Sequence, residues 1–356
     1  MPGLTQGEIA SVDTGGQIAD VLAMPAHLED ALWRVESASL EKSLRLLDGP
    51  TPLLICGMGG SAVGGDLAAA VLGDRLMAPL RTLRSYELPS WAMPGSYVVC
   101  ASYSGNTEET LACYEAAGAL GAPRVAVTTG GRLAEAARAD GVPVIPLPGG
   151  LQPRSAVAYM LVSVLEIAAY VDAAPAVRTE IDAACASLTE LAKEWGPDAD
   201  SDSLAKRVAQ RGHRTTVCVY GAGPTSPVAK RWKTQINENA KVPAFAAELP
   251  EADHNEIVGW ESAAELGSFL AVFLEDSDQH PRVRQRIELT ASLVEPEAAG
   301  TVRLESRGFT AVERVMSLVL LGDLVSIYLA VLRGIDPSPV NMIERLKERL
   351  ETRETV

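Results

Sequence analysis

Short apolar runs, each stopped by glycine, proline or hydroxyl residues, alternate along this chain with stretches whose apolar positions recur at helical spacing. Pro52-Leu53-Leu54-Ile55-Cys56 reads as a buried strand, and further strands are predicted at Leu80–Tyr86, Tyr97–Ala101, Arg124–Thr128 and Val142–Leu147. Residues 17–46, with Ile18, Val21, Leu22, Leu28, Leu32, Trp33 and Val35 on one side, predict a helix broken around Pro25. An alanine-rich helix through Val71 and a helix over Leu133–Ala139 fall between strands, an alternation that implies a parallel sheet covered on both faces. The segment Ser155–Val171 is apolar nearly all round, so it should be a central helix.

Helices are predicted over 177–194 and 202–211, joined by the polar linker Gly196-Pro197-Asp198-Ala199-Asp200-Ser201-Asp202. Then the plan repeats. Strands at Thr216–Tyr220, Phe269–Leu274 and Thr301–Glu305 accompany helices at Val228–Ala240 and Val283–Leu293. Laying Gly57-x-Gly59 on Gly221-x-Gly223 gives an offset of 164 residues that pairs strand with strand and helix with helix. Helices at Val312–Leu332 and Ser338–Leu350 close the chain. The expected architecture is α/β: two similar doubly wound parallel-sheet subdomains, 1–195 with leading helices and 203–356 with a C-terminal helical closure.

Composition narrows the partners. The 356 residues carry a net charge of −15 and 47% are hydrophobic, with a mean hydropathy of +0.10 and a pI near 4.8. That acidity argues against nucleic acid or an anionic membrane as partner, so a phosphate ligand must be held by local donors. The five cysteines (56, 100, 113, 185 and 218) lie at least 13 positions apart, which fits reduced thiols in a cytoplasmic protein rather than a disulfide or zinc framework. Met1–Ala10 has no basic region leading into an apolar stretch, so no signal peptide is expected. Val315–Leu332 is interrupted by Ser317, Gly322, Asp323 and Ser326 and reads as a buried helix rather than a membrane span. The histidines at 27, 213, 254 and 280 form no pair at ligand spacing, so no metal is expected.

The densest candidate chemistry lies in Val98-Val99-Cys100-Ala101-Ser102-Tyr103-Ser104-Gly105-Asn106-Thr107-Glu108-Glu109-Thr110. An apolar strand runs through hydroxyls and a glycine into a helix N-terminus, where free N–H groups and the helix dipole favour an anion. Three hydroxyls without a lysine suit a phosphate monoester, although Ser104 or Thr107 could equally be a simple helix cap. The turn Gly57-Met58-Gly59-Gly60-Ser61-Ala62 also satisfies a dinucleotide pattern, but an acid about 20 residues on, at the end of the second strand, is missing. Ligands of open α/β sheets bind at strand carboxyl ends, so this turn and the hydroxyl loop should line one pocket. Glu238, near a helix end whose Val228, Trp232 and Ile236 face inward, and His254, in a run of acids and amides, complete the candidates.

Together, Gly57-Met58-Gly59-Gly60-Ser61, Ser102-Tyr103-Ser104-Gly105-Asn106-Thr107, Gln152-Pro153-Arg154, Asn237-Glu238-Asn239-Ala240-Lys241 and Asp253-His254-Asn255-Glu256-Ile257 resemble the bifunctional phosphoglucose/phosphomannose isomerases, built from sugar-isomerase (SIS) domains. The resemblance implies an aldose–ketose isomerase that interconverts glucose 6-phosphate with fructose 6-phosphate, and it leaves mannose 6-phosphate open as a second aldose. It implies no cofactor. Ser61, Ser102, Ser104 and Thr107 would hold the 6-phosphate, with Gly59 and Gly60 in the substrate loop. Glu238 would move a proton between C1 and C2 through a cis-enediol, and Arg154 would stabilise the enediolate. His254, reaching across a homodimer interface, and Lys347, in Ile343-Glu344-Arg345-Leu346-Lys347, would assist ring opening. Mannose activity in the family goes with a C-terminal threonine hydroxyl. Residues 311–351 contain no threonine, leaving Ser317, Ser326, Ser338 and Tyr328 as hydroxyls. A sugar-phosphate-binding SIS module without catalysis, or an isomerase of another phosphosugar, is the alternative.

Overall fold

Two all-parallel sheets flank a shared layer of buried helices in the computed structural model, which describes residues 3–40 and 49–351. The first sheet has the order β2-β1-β3-β4-β5, from Leu53–Cys56 (β1), Leu80–Leu83 (β2), Tyr97–Ala101 (β3), Arg124–Thr128 (β4) and Val144–Pro146 (β5). The second has the order β7-β6-β8-β9, from Thr216–Gly221 (β6), Ala244–Glu248 (β7), Phe269–Glu275 (β8) and Gly300–Glu305 (β9). Strand β7 has no counterpart among the strands that the apolar runs predict. The 164-residue repeat nonetheless contains it: Leu53 pairs with Leu80, and both positions displaced by 164 give the observed pair Val217 with Ala244. The glycine turns match as well, with φ of 50° at Gly59 and 57° at Gly223. Left-handed backbone at the same step of each turn is where glycine carries no steric cost.

The N-terminal stretch forms three helices, Gln6–Val12 (α1), Gln17–Leu22 (α2) and Met24–Ser37 (α3). The break expected at Pro25 falls at Ala23, and Pro25 sits in the first turn of α3, where its missing N–H costs no hydrogen bond. The predicted continuation over 41–46 lies outside the described residues. In the first half, Gly59–Leu72 (α4), Glu108–Leu120 (α5) and Gly131–Ala139 (α6) connect the strands. The helices Val157–Tyr170 (α7), Arg178–Trp195 (α8) and Leu204–Gly212 (α9) lead into the second half, where Ser226–Gln235 (α10) and Pro281–Val294 (α11) cover the sheet. Ala311–Leu332 (α12) and Asn341–Glu351 (α13) end the chain, the latter starting three residues later than its sequence pattern indicates.

Helix α12 is long and apolar enough to cross a membrane, yet it is wholly buried among α8, α9, α10 and α4. One hydrophobic cluster runs from Leu4 to Leu332 and joins the two halves. The linker between them is held down: the buried Lys206 ammonium donates to Pro197 O at 2.8 Å and Ala199 O at 2.6 Å. All five cysteines are free, and Cys56 faces Cys100 across β1 and β3.

Candidate active site

The carboxyl ends of β1 and β3 carry the two glycine-and-hydroxyl loops, and hydrogen bonds fasten one to the other. Ser61, in the first turn of α4, accepts from Tyr103 N–H at 3.1 Å. Ser102 is buried; its Oγ accepts from Gly105 N–H at 3.1 Å and lies 2.8 Å from Thr107 Oγ1. Ser104 stands exposed, its Oγ accepting from Asn106 N–H at 3.2 Å. A hydroxyl that accepts from an amide keeps its own proton to donate, so the loop is braced and still able to bind an anion. Thr107 occupies the N-cap of α5 without bonding the helix amides, and Met58 does the same for α4. The N-termini of α4 and α5 therefore both lack a side-chain cap beside the joined loops, and free amides with the positive dipole end are where an anion is favoured.

Tyr103 ties this loop to the segment that leads into Arg154. Its phenol donates to Pro148 O and accepts from Leu151 N–H, both at 2.9 Å, just before Gln152-Pro153-Arg154. Gly60 permits the final approach: a Cβ there would lie 2.7 Å from Pro153 O and 3.2 Å from Arg154 Cα. Any side chain at Gly60 would push the Pro153–Arg154 turn away from the Gly57–Ser61 turn.

Arg154 is buried and its guanidinium is fixed on three sides. Nε donates to Asn239 Oδ1 at 2.8 Å, and Nη2 donates to Pro337 O at 2.9 Å and Ser338 O at 3.1 Å. Nη1 is left with longer contacts, Gln152 Oε1 at 3.4 Å and Glu238 Oε2 at 3.6 Å. Burial holds the Arg154 pKa below the usual arginine range, while Glu238 opposes that shift. The predicted helix Val228–Ala240 departs from α geometry at its end, since Ile236–Ala240 is a π turn. Consecutive residues on an α-helix point about 100° apart. The wider π turn narrows that angle and lets both Glu238 and Asn239 address one guanidinium.

Behind Arg154 lies a buried polar network that the sequence pattern does not assign. Asp323, within α12, accepts from Arg231 Nε at 3.0 Å and Nη2 at 2.6 Å, and from Gln235 Nε2 at 3.0 Å. Arg231 Nη2 also donates to Arg154 O at 2.9 Å, and Asn239 Nδ2 donates to Ser326 Oγ at 2.8 Å. Removing either partner of such a buried ion pair strands a charge, at a cost of about 3–5 kcal/mol. The signal is present in the sequence: a carboxylate inside an otherwise apolar helix must have a partner. Lys241, with φ of 57°, bonds Glu238 O and donates to Pro337 O at 2.9 Å. Burial, then the Arg154 charge, pushes its ammonium below the usual lysine range.

Two expected site residues, His254 and Lys347, make no hydrogen bond or ion pair with Arg154 or Glu238 among the described residues. Glu238 precedes β7 and His254 follows it, so the strand's five residues, roughly 13 Å of extended chain, separate them. His254 is exposed, while its neighbour Asp253 is anchored to α11 by Arg286 Nη1 at 3.1 Å and Thr290 Oγ1 at 2.7 Å. Lys347 lies exposed on α13, and no hydrogen bond or ion pair ties it to Arg154 or Glu238 among the described residues.

Residues 201–350 match the family model described as the bacterial phospho-glucose isomerase C-terminal SIS domain. The chain is 40% identical over 301 residues to the bifunctional phosphoglucose/phosphomannose isomerase of Caldicellulosiruptor bescii, covering 84% of this chain and 89% of that one. It is 30% identical over 295 residues to a D-glucosamine-6-phosphate 4-epimerase of Sulfolobus acidocaldarius, covering 82% and 87%. A hypothetical protein of Thermus thermophilus shares the fold, with a TM-score of 0.71 at 17% identity over 95% of this chain and 91% of that one. From the extent and identity of the first of these matches, the chain belongs to the bifunctional phosphoglucose/phosphomannose isomerase family.

Proposed function

We propose that the protein interconverts glucose 6-phosphate and mannose 6-phosphate with fructose 6-phosphate through a cis-enediol. The observation that carries this reading is the pairing of Glu238 with the buried Arg154, 3.6 Å apart, where Gly60 brings the arginine turn against the phosphate loop. With the phosphate on Ser61, Ser104, Thr107 and the helix amides, and Ser102 bracing the loop, the sugar's C1–C2 end extends toward Arg154. Glu238 takes the proton from C2 of the aldose and returns it to C1, while the hydroxyl proton on O2 passes to O1. The electron pair left behind becomes an enediolate, and its oxygen charge meets the guanidinium Nη1, the one nitrogen of Arg154 without a short bond. Nothing in this sequence of steps calls for a metal or a nucleotide.

The C-terminal hydroxyls separate by what they already hold. Ser317 Oγ serves Arg307 N and Arg314 O, Ser326 Oγ serves Asp323 O and Asn239, and Tyr328 donates to Trp195 O. Ser338 Oγ makes no well-formed hydrogen bond, and its carbonyl is one of those that fix Arg154. That hydroxyl is buried beneath Gly15, so none of the C-terminal hydroxyls is free for the aldose end in this arrangement, and activity on mannose 6-phosphate is left to the assay below. Because His254 sits at the wrong end of β7 for its own Glu238, ring opening in this reading falls to the histidine of a second copy in a homodimer. Lys347, on the exposed terminal helix, joins as a second ring-opening group only when assembly brings that helix against a site. The reduced, partly buried thiols suit a cytoplasmic enzyme.

A coupled assay with glucose, mannose and fructose 6-phosphates tests the proposal, and turnover of both aldoses, insensitive to EDTA, is the expected result. A protein that binds these sugars without turning them over would instead be a binding module. The phosphate assignment makes a separate prediction. Ser104→Ala with Thr107→Ala should raise KM for all three substrates by about 100-fold or more, since two bonds to a charged group are lost. The ratio between substrates should stay nearly constant. A changed preference between glucose and mannose forms would mean that the loop touches the sugar instead.

A further inference from the structure

Three arginines are buried among the described residues, and they are held in two different ways. Arg231 is neutralised by Asp323, at 3.0 and 2.6 Å, and Arg314 by Asp276 at 3.1 Å, the arrangement that a charge out of water normally requires. Arg154 is held by neutral oxygens instead. Asn239 Oδ1, Pro337 O and Ser338 O take its short bonds, and Gln152 Oε1 a longer one at 3.4 Å. Its one ion pair among the described residues, the 3.6 Å contact with Glu238, is with the group that has to be free to take a proton. Burial accordingly holds the Arg154 pKa below the usual arginine range. The buried Asn239 amide can stand only one way round. Ser326 gives its hydroxyl proton to Asp323 O at 2.7 Å, so its oxygen must accept from Asn239 Nδ2, and Oδ1 is left for Arg154 Nε.

We propose that Asn239 is a positioning residue for the isomerisation: it aims the Arg154 guanidinium and, being uncharged, leaves the positive charge available to the enediolate. The inference rests on the aldose–ketose isomerase reading of the site. A cation lowers the barrier to the extent that it meets charge developing in the transition state and is not already matched in the resting site. A carboxylate at position 239 would fill the same volume and hold Nε more tightly. Arg154 would then stand between two carboxylates before any substrate arrived. The fold does place an acid one step further back, Asp323, but gives it to Arg231, which touches Arg154 only through the Arg154 carbonyl.

The test compares Asn239→Asp with Asn239→Ala, by turnover of glucose 6-phosphate and by thermal melting. Aspartate keeps the size of the side chain and an acceptor for Nε, and Ser326 can turn its proton toward it, so this variant should melt near wild type. Alanine leaves Nε buried without a partner and should melt lower. Turnover should follow the opposite order. We expect kcat of Asn239→Asp to fall about 10- to 100-fold, approaching the loss of an oxyanion-hole donor, with KM within a few-fold of wild type. The fall in Asn239→Ala should be smaller. A role in packing alone would rank both measurements the same way, with alanine the worse. Aspartate turning over as fast as alanine, or faster, therefore overturns the inference. Should Asn239→Asp not fold, Gln152→Glu puts a carboxylate beside Nη1 from a part-exposed position. The same fall in kcat without loss of melting temperature is expected there, and a wild-type kcat overturns the inference. A wild type inactive on every 6-phosphosugar overturns the isomerase reading and this inference with it, whereas an active wild type with the ranking reversed overturns this inference alone.

Discussion

Replacing Glu238 with glutamine is expected to lower kcat by about 100-fold or more, within the 10²- to 10⁴-fold that a positioned acid–base group contributes. The substitution keeps shape and volume but removes the group that accepts the carbon-bound proton. Arg154 should stay in place, because its position depends on Asn239, Pro337 and Ser338 rather than on Glu238, whose carboxylate is 3.6 Å away. Substrate should therefore still bind, and 6-phosphosugars should still raise the melting temperature of the variant. Chemistry lost with binding kept is the combination to look for. A variant that retains near-normal turnover would remove Glu238 from the proton transfer and leave the site a phosphosugar cradle.

The second large effect concerns the placement of His254. His254→Ala should be nearly inactive on the ring-closed sugar, and so should Glu238→Gln. When the two proteins are mixed one to one and their subunits exchange, half of the dimers are mixed. If His254 serves the neighbouring copy, a mixed dimer carries both lesions in one site and none in the other, and about a quarter of wild-type activity returns. If His254 serves its own chain, every site in the mixture keeps a lesion and no activity returns. The fold favours the first outcome: β7 separates the two residues, and Asp253 pins the histidine segment to α11. Native mass spectrometry of isotopically labelled subunits would establish the exchange that the comparison depends on.

Much of the architecture was legible because burial on both faces writes itself into sequence. Leu53–Cys56 and Tyr97–Ala101 are runs without polar interruption, and both became central strands. β7 escaped because Ala244-Phe245-Ala246-Ala247, though apolar, is mostly alanine and carries little strand preference, and in the fold only Ala244 is fully buried while Phe245 is 56% exposed. An edge strand of that kind has no periodic signature of its own, and only the repeat of Leu53 and Leu80 at Val217 and Ala244 could have located it. The hydroxyl loop was legible for a different reason, since its chemistry is local and needs a strand end, a glycine and a helix start in immediate succession.

Sequence by itself determined the two parallel sheets, their internal repeat, the phosphate-type loop and the candidate residues Arg154 and Glu238, each a matter of local pattern or short motif. Which of these residues meet was decided only by the tertiary structure. Arg154 and Glu238 are far apart in the chain, and their approach depends on Gly60 admitting the arginine turn and on a π turn aiming Glu238 and Asn239 together. It also depends on Asp323, which sequence shows only as an interruption in an apolar helix, and which the fold pairs with Arg231 behind the site. Contacts between distant segments follow from how helices and sheets pack, and the packing of one segment against another leaves no period in either of them.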